Sequence, residues 1–208
     1  MQKKFLILFL IFSTIFFSAC SENKDKKLEI YKNNKILAFG DSLTFGKGVK
    51  KEENYPYLLE KELNKRNLNI KIDNEGKNGE LSKDGLKRLK RILNKKEYNI
   101  LILMHGGNDI LQRKSKIELK DNLQEMINLA LKKNIKIILI PVPKMILFGL
   151  KDLKLYKELK EKNNIFYLEN ALVDIINNNK LKVDYVHPNK KGYEKLVKKL
   201  IFLFNLWI

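Results

Sequence analysis

The sequence predicts an α/β fold, a three-layer α/β/α sandwich around a five-stranded parallel sheet. Two observations lead to this prediction. Short apolar runs of strand length alternate along the chain with longer segments of helical periodicity. Residues 99–104, "NILILM", form a continuous apolar run, which is typical of a central strand that is covered on both faces. Because strands that alternate with helices pair in parallel through right-handed crossovers, we expect helices on both faces of one sheet.

The predicted elements follow one another from residue 35 onwards. Pro56 suits the first turn of the first helix, and Ser82 is a possible cap of the second. The strands are expected at residues 35–39, 68–74, 99–104, 135–142 and 165–168. The helices are expected at residues 55–65, 81–93, 117–132, 150–159 and 192–204.

Length and composition indicate one domain. A chain of 208 residues, of which 44% are hydrophobic, can build one globular core but is short for two. Residues 35–208 contain all the predicted strands and helices and no internal repeat. Residues 21–34 are polar and have no sustained apolar period, so we expect a tether in front of the domain.

Residues 1–20 have the pattern of an export signal. Lys3 and Lys4 precede an apolar run at residues 5–17, which is too short to cross a bilayer comfortably as a permanent helix. The small residues before Cys20 resemble the lipobox of bacterial lipoproteins. This resemblance implies that cleavage leaves Cys20 as a lipidated first residue and that the domain is anchored to a bacterial membrane outside the cytoplasm. The alternative is an ordinary signal peptide or an uncleaved anchor helix.

The composition excludes or disfavours several kinds of site and partner. Cys20 is the only cysteine, so an intramolecular disulfide and a cysteine nucleophile are excluded. With two histidines in the chain, a buried zinc site of the usual kinds is disfavoured and no metal is expected. The net charge of +18 suggests a polyanionic partner, but only four of the 42 basic residues are arginine. We therefore interpret the lysines as solvated surface and expect no nucleic-acid partner, while a modest attraction to anionic lipid headgroups stays open.

Four polar clusters stand at the ends of predicted elements. "GDSL", residues 40–43, follows the first strand; "NEGKNGE", residues 74–80, follows the second; and "HGGND", residues 105–109, follows the third. "DYVHP", residues 184–188, precedes the last helix. Because ligands of open α/β sheets bind at the carboxyl ends of the strands, we expect these clusters to meet at one edge of the sheet.

These clusters resemble the sequence blocks of the SGNH hydrolases, also called GDSL esterases and lipases. Block I matches residues 40–43, block II matches Gly79, block III matches residues 106–109, and the final block matches residues 184–188, all in family order. The layout is most similar to that of the lysophospholipase L1 and arylesterase-like enzymes. The resemblance implies the flavodoxin-like SGNH hydrolase fold and a serine esterase that needs no metal and no organic cofactor.

The resemblance also implies a role for each residue. Ser42 is the expected nucleophile, and because a serine hydroxyl is a weak nucleophile at neutral pH, it needs a base to take its proton. His187 suits this task because imidazole titrates near neutral pH, and Asp184 can hold its other ring nitrogen. The expected oxyanion donors are the backbone N–H groups of Ser42 and Gly79 and the side-chain amide of Asn108.

Other residues of the same blocks support the site or depart from the family pattern. Asp41, Gly106 and Asp109 are expected to support the main site residues. His105 stands where the most similar subgroup usually has an apolar residue, and "GEL", residues 79–81, replaces the commoner Gly-Asp-Thr or Gly-Glu-Thr. We expect His105 to pack beside block III rather than to take part in catalysis, because one base suffices.

Taken singly, these residues have ordinary interpretations as helix caps or turns. Taken together, they predict a serine esterase that cleaves lysophospholipid, aryl ester or acyl thioester bonds through an acyl-Ser42 intermediate. The alternatives are an O-acetyl esterase of cell-wall or surface glycans and, in a different class, a surface lipoprotein that binds ligands without turnover. Residues 145–148, "MILF", either line a groove for an acyl chain or begin the next helix and pack inward. The oligomeric state is left open.

Overall fold

The computed structural model describes residues 27–206 with the exception of residue 148. In this part of the chain the strands are β1 (Leu28–Ile30), β2 (Lys35–Gly40), β3 (Lys71–Gly76), β4 (Ile100–Met104), β5 (Lys136–Leu139), β6 (Pro143–Ile146), β7 (Gly149–Asp152), β8 (Phe166–Tyr167) and β9 (Phe204–Leu206). The α-helices are α1 (Ser42–Phe45), α2 (Tyr55–Asn64), α3 (Ser82–Leu93), α4 (Gly107–Leu111), α5 (Lys116–Leu131), α6 (Lys154–Asn163), α7 (Val173–Ile176) and α8 (Lys190–Leu203). Short 3-10 helices lie at Lys51–Glu53 and Asn179–Leu181.

The central sheet has five strands in the order β3-β2-β4-β5-β8, and every neighbouring pair is parallel. All five residues of β4 are buried, which explains its uninterrupted apolar sequence. The chain runs from β2 to β3 on one side and then returns to β4 on the other side of β2. This reversal of strand order leaves a crevice at the carboxyl ends of β2 and β4, where open sheets bind ligands. The predicted fold class is confirmed.

The helices cover the sheet in two groups. Helix α2 contacts α8, whereas α3 contacts α5 and α5 contacts α6. Three of the longer helices begin at side-chain caps: Asn54 accepts an N–H group of α2, Ser115 one of α5, and Asn189 one of α8. The apolar face of α5 shows how the helices join the core, since its buried residues recur at helical spacing. These residues are Leu119, Leu123, Met126, Ile127 and Ala130.

The boundary predicted for the polar tether is wrong for part of residues 21–34. Leu28–Ile30 form β1, which pairs in parallel with β9 near the C-terminus. Leu28 and Ile30 are fully buried, so this segment belongs to the folded domain. Three residues are too few to show a period, which is why the sequence pattern did not indicate a strand. Within the described part of the chain, none of the helices combines the length and the apolar character that a membrane span requires.

The segment between β5 and α6 also differs from the prediction of a helix over residues 150–159. It is an antiparallel hairpin of β6 and β7, followed by α6. Met145 pairs with Leu150 in this hairpin, and 75% of Met145 is exposed. Residues 145–147 therefore do not begin a helix. Residue 148, like the predicted signal peptide with its cysteine, lies outside the described residues.

Candidate active site

Ser42 begins the short helix α1 directly after β2. The preceding residue, Asp41, caps this helix because its Oδ1 accepts the backbone N–H of Leu43 at 3.1 Å. Its Oδ2 accepts the backbone N–H of Gly107 at 2.9 Å, so one carboxyl group ties the serine turn to the start of α4. Burial raises the pKa of Asp41, and the nearby His105 and the two N–H donors offset part of this effect.

His187 lies within hydrogen-bond distance of both Ser42 and Asp184, although 145 positions separate it from Ser42. Its Nε2 is 2.8 Å from Ser42 Oγ, and its Nδ1 is 2.8 Å from Asp184 Oδ2. Because a carboxylate can only accept, Nδ1 carries a proton and Nε2 is left to accept the serine proton. The three side chains therefore stand in the series of nucleophile, base and orienting carboxylate.

The loop before α8 builds the pair of Asp184 and His187 locally. Asp184 Oδ1 accepts the backbone N–H groups of Val186 at 3.0 Å and of His187 at 2.9 Å, which bends the chain so that the two side chains meet. Burial raises the pKa of Asp184, but these N–H groups and the His187 ring outweigh it and lower the pKa to about 2. Asp184 is therefore ionised at neutral pH, although 43% of its side chain is exposed.

Gly79 and Asn108 follow the two strands that flank β2. Gly79 lies in the loop after β3, and Asn108 lies in α4 after β4. The Asn108 side-chain amide donates to the backbone oxygen of Glu80 at 3.0 Å. Because an amide nitrogen has two N–H groups, this bond orients Asn108 and leaves its second N–H for a ligand. Gly79 has a φ of +74°, which favours glycine, whereas a Cβ there would meet no atom within 4 Å.

Asp109 and Gly106 hold α4 in place. Asp109 accepts the Ser82 hydroxyl at 2.6 Å and the Ser82 backbone N–H at 2.9 Å. Ser82, predicted as a cap of α3, is instead the first residue of that helix and joins it to α4. Gly106 precedes α4 with a φ of +109°, and a Cβ there would lie 2.7 Å from the Tyr156 hydroxyl. Both features keep Asn108 at a fixed place beside the sheet edge.

A small apolar cavity of about 80 Å³ opens beside Ser42. Ser42, Asn108 and His187 all line it, whereas Gly79 lies outside its wall. The other lining side chains are mostly apolar, and they include Leu43, Ile110, Leu111, Val142, Pro143, Met145, Leu150, Ile176 and Val186. A larger open cleft between α2 and α8 has charged walls and contains no predicted site residue. Among the described residues, no group of three or more His, Cys, Asp or Glu could hold a metal ion.

The sequence reasoning missed a buried ion pair next to this site. Arg88 Nη2 and Glu80 Oε2 are 2.6 Å apart, and both side chains are nearly inaccessible. The sequence does contain one signal of this pair: Arg88 lies next to Leu89 on the buried face of α3. A charged residue on an apolar face is typical of a buried pair, because a buried charge needs a partner.

The sequence profile of the GDSL-like Lipase/Acylhydrolase family matches residues 38–195. The chain belongs to this family. The match to the GDSL-like family includes every predicted site residue from Asp41 to His187. The family resemblance predicted from the sequence blocks is therefore confirmed.

Curated GDSL-like relatives include Esterase TesA of Pseudomonas aeruginosa, which is 27% identical over 107 residues, 51% of this chain and 53% of that protein. Arylesterase of Vibrio mimicus is 29% identical over 97 residues, 47% of this chain and 48% of that protein. The chain thus spans about half the length of the curated relatives it matches.

Solved structures cover more of the GDSL-like domain. AlinE4, an SGNH-hydrolase family esterase, superposes with a TM-score of 0.67 at 31% identity, over 81% of this chain and 93% of that chain. The psychrotrophic esterase EstA of Pseudoalteromonas sp. has a TM-score of 0.74 at 23% identity, over 82% of this chain and 96% of that chain. At 23% identity, the similarity to EstA shows a shared fold and nothing more.

Proposed function

We propose that the chain is a serine ester hydrolase in which Ser42 attacks the carbonyl carbon of a carboxylic ester or thioester. One observation carries the proposal. Ser42 Oγ is 2.8 Å from His187 Nε2, and Asp184 holds the other ring nitrogen of the same imidazole. The names of the curated relatives, esterase and arylesterase, support the same class of reaction.

The proposed reaction has two halves. In the first, Ser42 Oγ bonds to the carbonyl carbon while its proton passes to His187 Nε2, and Asp184 stabilises the imidazolium. The negative oxygen that forms is stabilised by the Ser42 and Gly79 N–H groups and the Asn108 amide. The bond to the leaving group then breaks, and His187 donates its proton to that group. In the second half, a water molecule gives a proton to His187 and attacks the acyl-Ser42 carbon. The bond between that carbon and Ser42 Oγ then breaks, His187 returns the proton to Ser42 Oγ, and the acid is released.

The cavity supports a substrate with a short acyl group. Its small volume and apolar lining beside Ser42 fit an acetyl to butyryl chain. This property favours aryl or short acyl esters and keeps O-acetyl groups of glycans as the second candidate. The exposed side chain of Met145 extends the apolar surface outward, and a longer chain of a lysophospholipid or an acyl thioester could follow it.

Hydrolysis of p-nitrophenyl esters from acetyl to palmitoyl by the full-length chain in detergent tests the proposal. We expect turnover that is highest for the short esters and that falls by at least about 10⁴-fold in Ser42→Ala. A fluorophosphonate probe should label the wild-type chain and not this variant. Ser115→Ala is the matched control, because the Ser115 hydroxyl caps α5 and does not line the cavity. Activity or labelling that survives Ser42→Ala would remove the proposed mechanism, and a wild-type chain without turnover would favour a ligand-binding lipoprotein.

The proposed location is the cell envelope outside the cytoplasm, where a lipidated Cys20 would anchor the chain to a bacterial membrane. The support is the basic, apolar and small-residue pattern of residues 1–20. Cys20→Ser should release the protein from the membrane fraction. Unchanged fractionation of this variant would count against lipidation and leave the esterase proposal intact.

A further inference from the structure

Three titratable side chains are buried together behind the loop that carries Gly79. The exposed fraction of the side chain is 2% for Glu80, 10% for Arg88 and 0% for His105. Such groups are seldom buried unless they are paired, because burial removes their hydration. None of the three lines the cavity beside Ser42, so the proposed reaction gives them no direct role.

The Arg88 guanidinium has an acceptor for each of its five N–H groups. Its Nε and Nη2 donate to the Glu80 carboxylate at 2.9 Å and 2.6 Å as a bidentate pair. Its Nη2 also donates to the backbone oxygen of Gly40 at 3.3 Å, and its Nη1 donates to the backbone oxygen and Oε2 of Glu75 at 3.0 Å and 3.4 Å. A lysine ammonium lacks this planar fork, so it cannot make the same set of bonds.

His105 completes the cluster from the end of β4. Its Nε2 is 3.3 Å from Glu80 Oε2, and because that carboxylate can only accept, Nε2 carries a proton. The imidazole stacks on Phe39 with ring centroids 5.8 Å apart, and Arg88 lies over the same phenyl ring at 4.2 Å. A Cβ on Gly85 would lie only 2.4 Å from His105 Nε2, so α3 has room for this ring only with glycine there.

The cluster is connected to the segments that carry all three proposed oxyanion donors. Glu80 follows Gly79 directly, and its backbone oxygen accepts the Asn108 amide at 3.0 Å. On the other side, the guanidinium binds the carbonyl of Gly40, two residues before Ser42. One buried ion pair therefore joins the loop after β3, the turn after β2 and the first turn of α4.

We propose that Glu80, Arg88 and His105 are positioning residues of the oxyanion hole. They hold these three segments in a fixed arrangement, so that the donors are aimed at the carbonyl oxygen before it becomes negative. The inference rests on the proposed esterase function. Preorganised donors need no rearrangement during the reaction, and a displacement of about 1 Å can lower a rate about 100-fold.

The substitution Arg88→Lys keeps the positive charge and removes the fork. We expect kcat for p-nitrophenyl butyrate to fall about 10-fold to 100-fold while KM changes less than about threefold, because only transition-state contacts are weakened. In an Asn108→Ala background, the same substitution should lower kcat by a smaller factor than it does in the wild-type chain, since one of the three donors that Arg88 positions is already absent. Steady-state kinetics of the four full-length chains give this double-mutant cycle.

A pair of substitutions at His105 tests the cluster from its other side. His105→Gln keeps an N–H donor for Glu80 and should retain kcat within about threefold, whereas His105→Leu should lower kcat about 10-fold. The control Lys120→Gln breaks a 2.6 Å ion pair with Glu158 that joins α5 to α6. This control should leave kcat unchanged even where it lowers the melting temperature.

The outcomes separate this inference from the proposed function. Two results would overturn the positioning role while leaving the esterase function intact. In an active enzyme, these are free-energy losses of Arg88→Lys and Asn108→Ala that simply add in the double variant, or equal kcat values for His105→Gln and His105→Leu. If circular dichroism shows that Arg88→Lys does not fold, the two His105 variants decide the question. A wild-type chain without turnover would overturn the proposed function, and the positioning role with it.

Discussion

Asp184 and Glu80 lie on two sides of the candidate site, and the pKa of each carboxyl is lowered to about 2. Their surroundings differ. The Asp184 side chain is 43% exposed and receives its hydrogen bonds from its own loop. The Glu80 side chain is 2% exposed and is held by Arg88 from α3 and by His105 from the end of β4. For Glu80, burial raises the pKa, and the His105 and Arg88 contacts outweigh it.

The difference separates two tasks within one site. The side of Asp184 and His187 moves a proton, and a short loop next to solvent is sufficient to build it. The side of Glu80 fixes donors that must not move, and it is built from contacts between segments far apart in the chain. We therefore expect substitutions on the first side to change the chemistry with little loss of stability. Substitutions on the second side should change both.

The largest effect is expected for His187→Ala. Because the base is lost, kcat/KM for a short ester should fall by about 10⁴-fold or more, while the melting temperature changes little. Kinetics and thermal unfolding of the same sample measure both quantities. The control is Tyr185→Ala in the same loop, since 86% of Tyr185 is exposed and it makes no part of the cavity wall. A loss below about tenfold in His187→Ala would contradict its role as base.

Asn108→Ala tests the donor that the Glu80 backbone oxygen holds. We expect kcat to fall about 100-fold to 1,000-fold with little change in KM, because an oxyanion donor acts on charge that exists only in the transition state. Asn128→Ala is the control, since Asn128 lies in α5 and bonds Glu125 and Gln124. A raised KM at unchanged kcat would instead assign Asn108 to substrate binding.

Glu80→Gln should reveal the stability that the buried side carries. Because the pKa of Glu80 is lowered from 4.5 to about 2, its stabilisation is present above pH 4.5 and is lost as the pH falls through about 2. We expect the variant to lose about 3 kcal/mol of unfolding free energy at pH 7, as breaking a buried pair does, and less at pH 3. Urea unfolding at several pH values measures this.

Asp184→Asn is the matched control for the pH series. The pKa of Asp184 is lowered in the same direction, but solvent screens its exposed side chain, so the change in unfolding free energy should be smaller and should decrease further with salt. If Asp184→Asn lost as much unfolding free energy as Glu80→Gln, or more, the difference in solvent exposure would not explain a difference in stability between the two carboxylates.

The same contrast explains what the sequence could predict. Residues at strand ends follow from local patterns, which is why the run 99–104 located β4 and the "GDSL" cluster located the serine turn. The pairing of β1 with β9 and the hairpin of β6 and β7 depend on distant or weak signals, and both were missed. Arg88 was missed for the same reason, since its partners Glu80 and Gly40 are known only once α3 is packed on the sheet.

Gly79→Ala is expected to have the smallest effect. It tests whether backbone strain next to Glu80, as well as the loss of a buried side chain, lowers stability and rate. Space is available, because a Cβ would meet no atom within 4 Å, but the φ of +74° is unfavourable for alanine. We expect a loss of about 1 kcal/mol in unfolding free energy.

The rate in Gly79→Ala should fall less than about tenfold, because the N–H donor is retained. Gly149→Ala in the β6–β7 hairpin is the matched control, because Gly149 has a φ of +104° and the nearest atom to its added Cβ, Asn177 Oδ1, is 3.6 Å away. Equal stability losses with a lower kcat only in Gly79→Ala would show that backbone strain at Gly79 reaches the donors. Equal kcat values for Gly79→Ala and Gly149→Ala would mean that only the buried side chains, and not the backbone at Gly79, position the oxyanion donors.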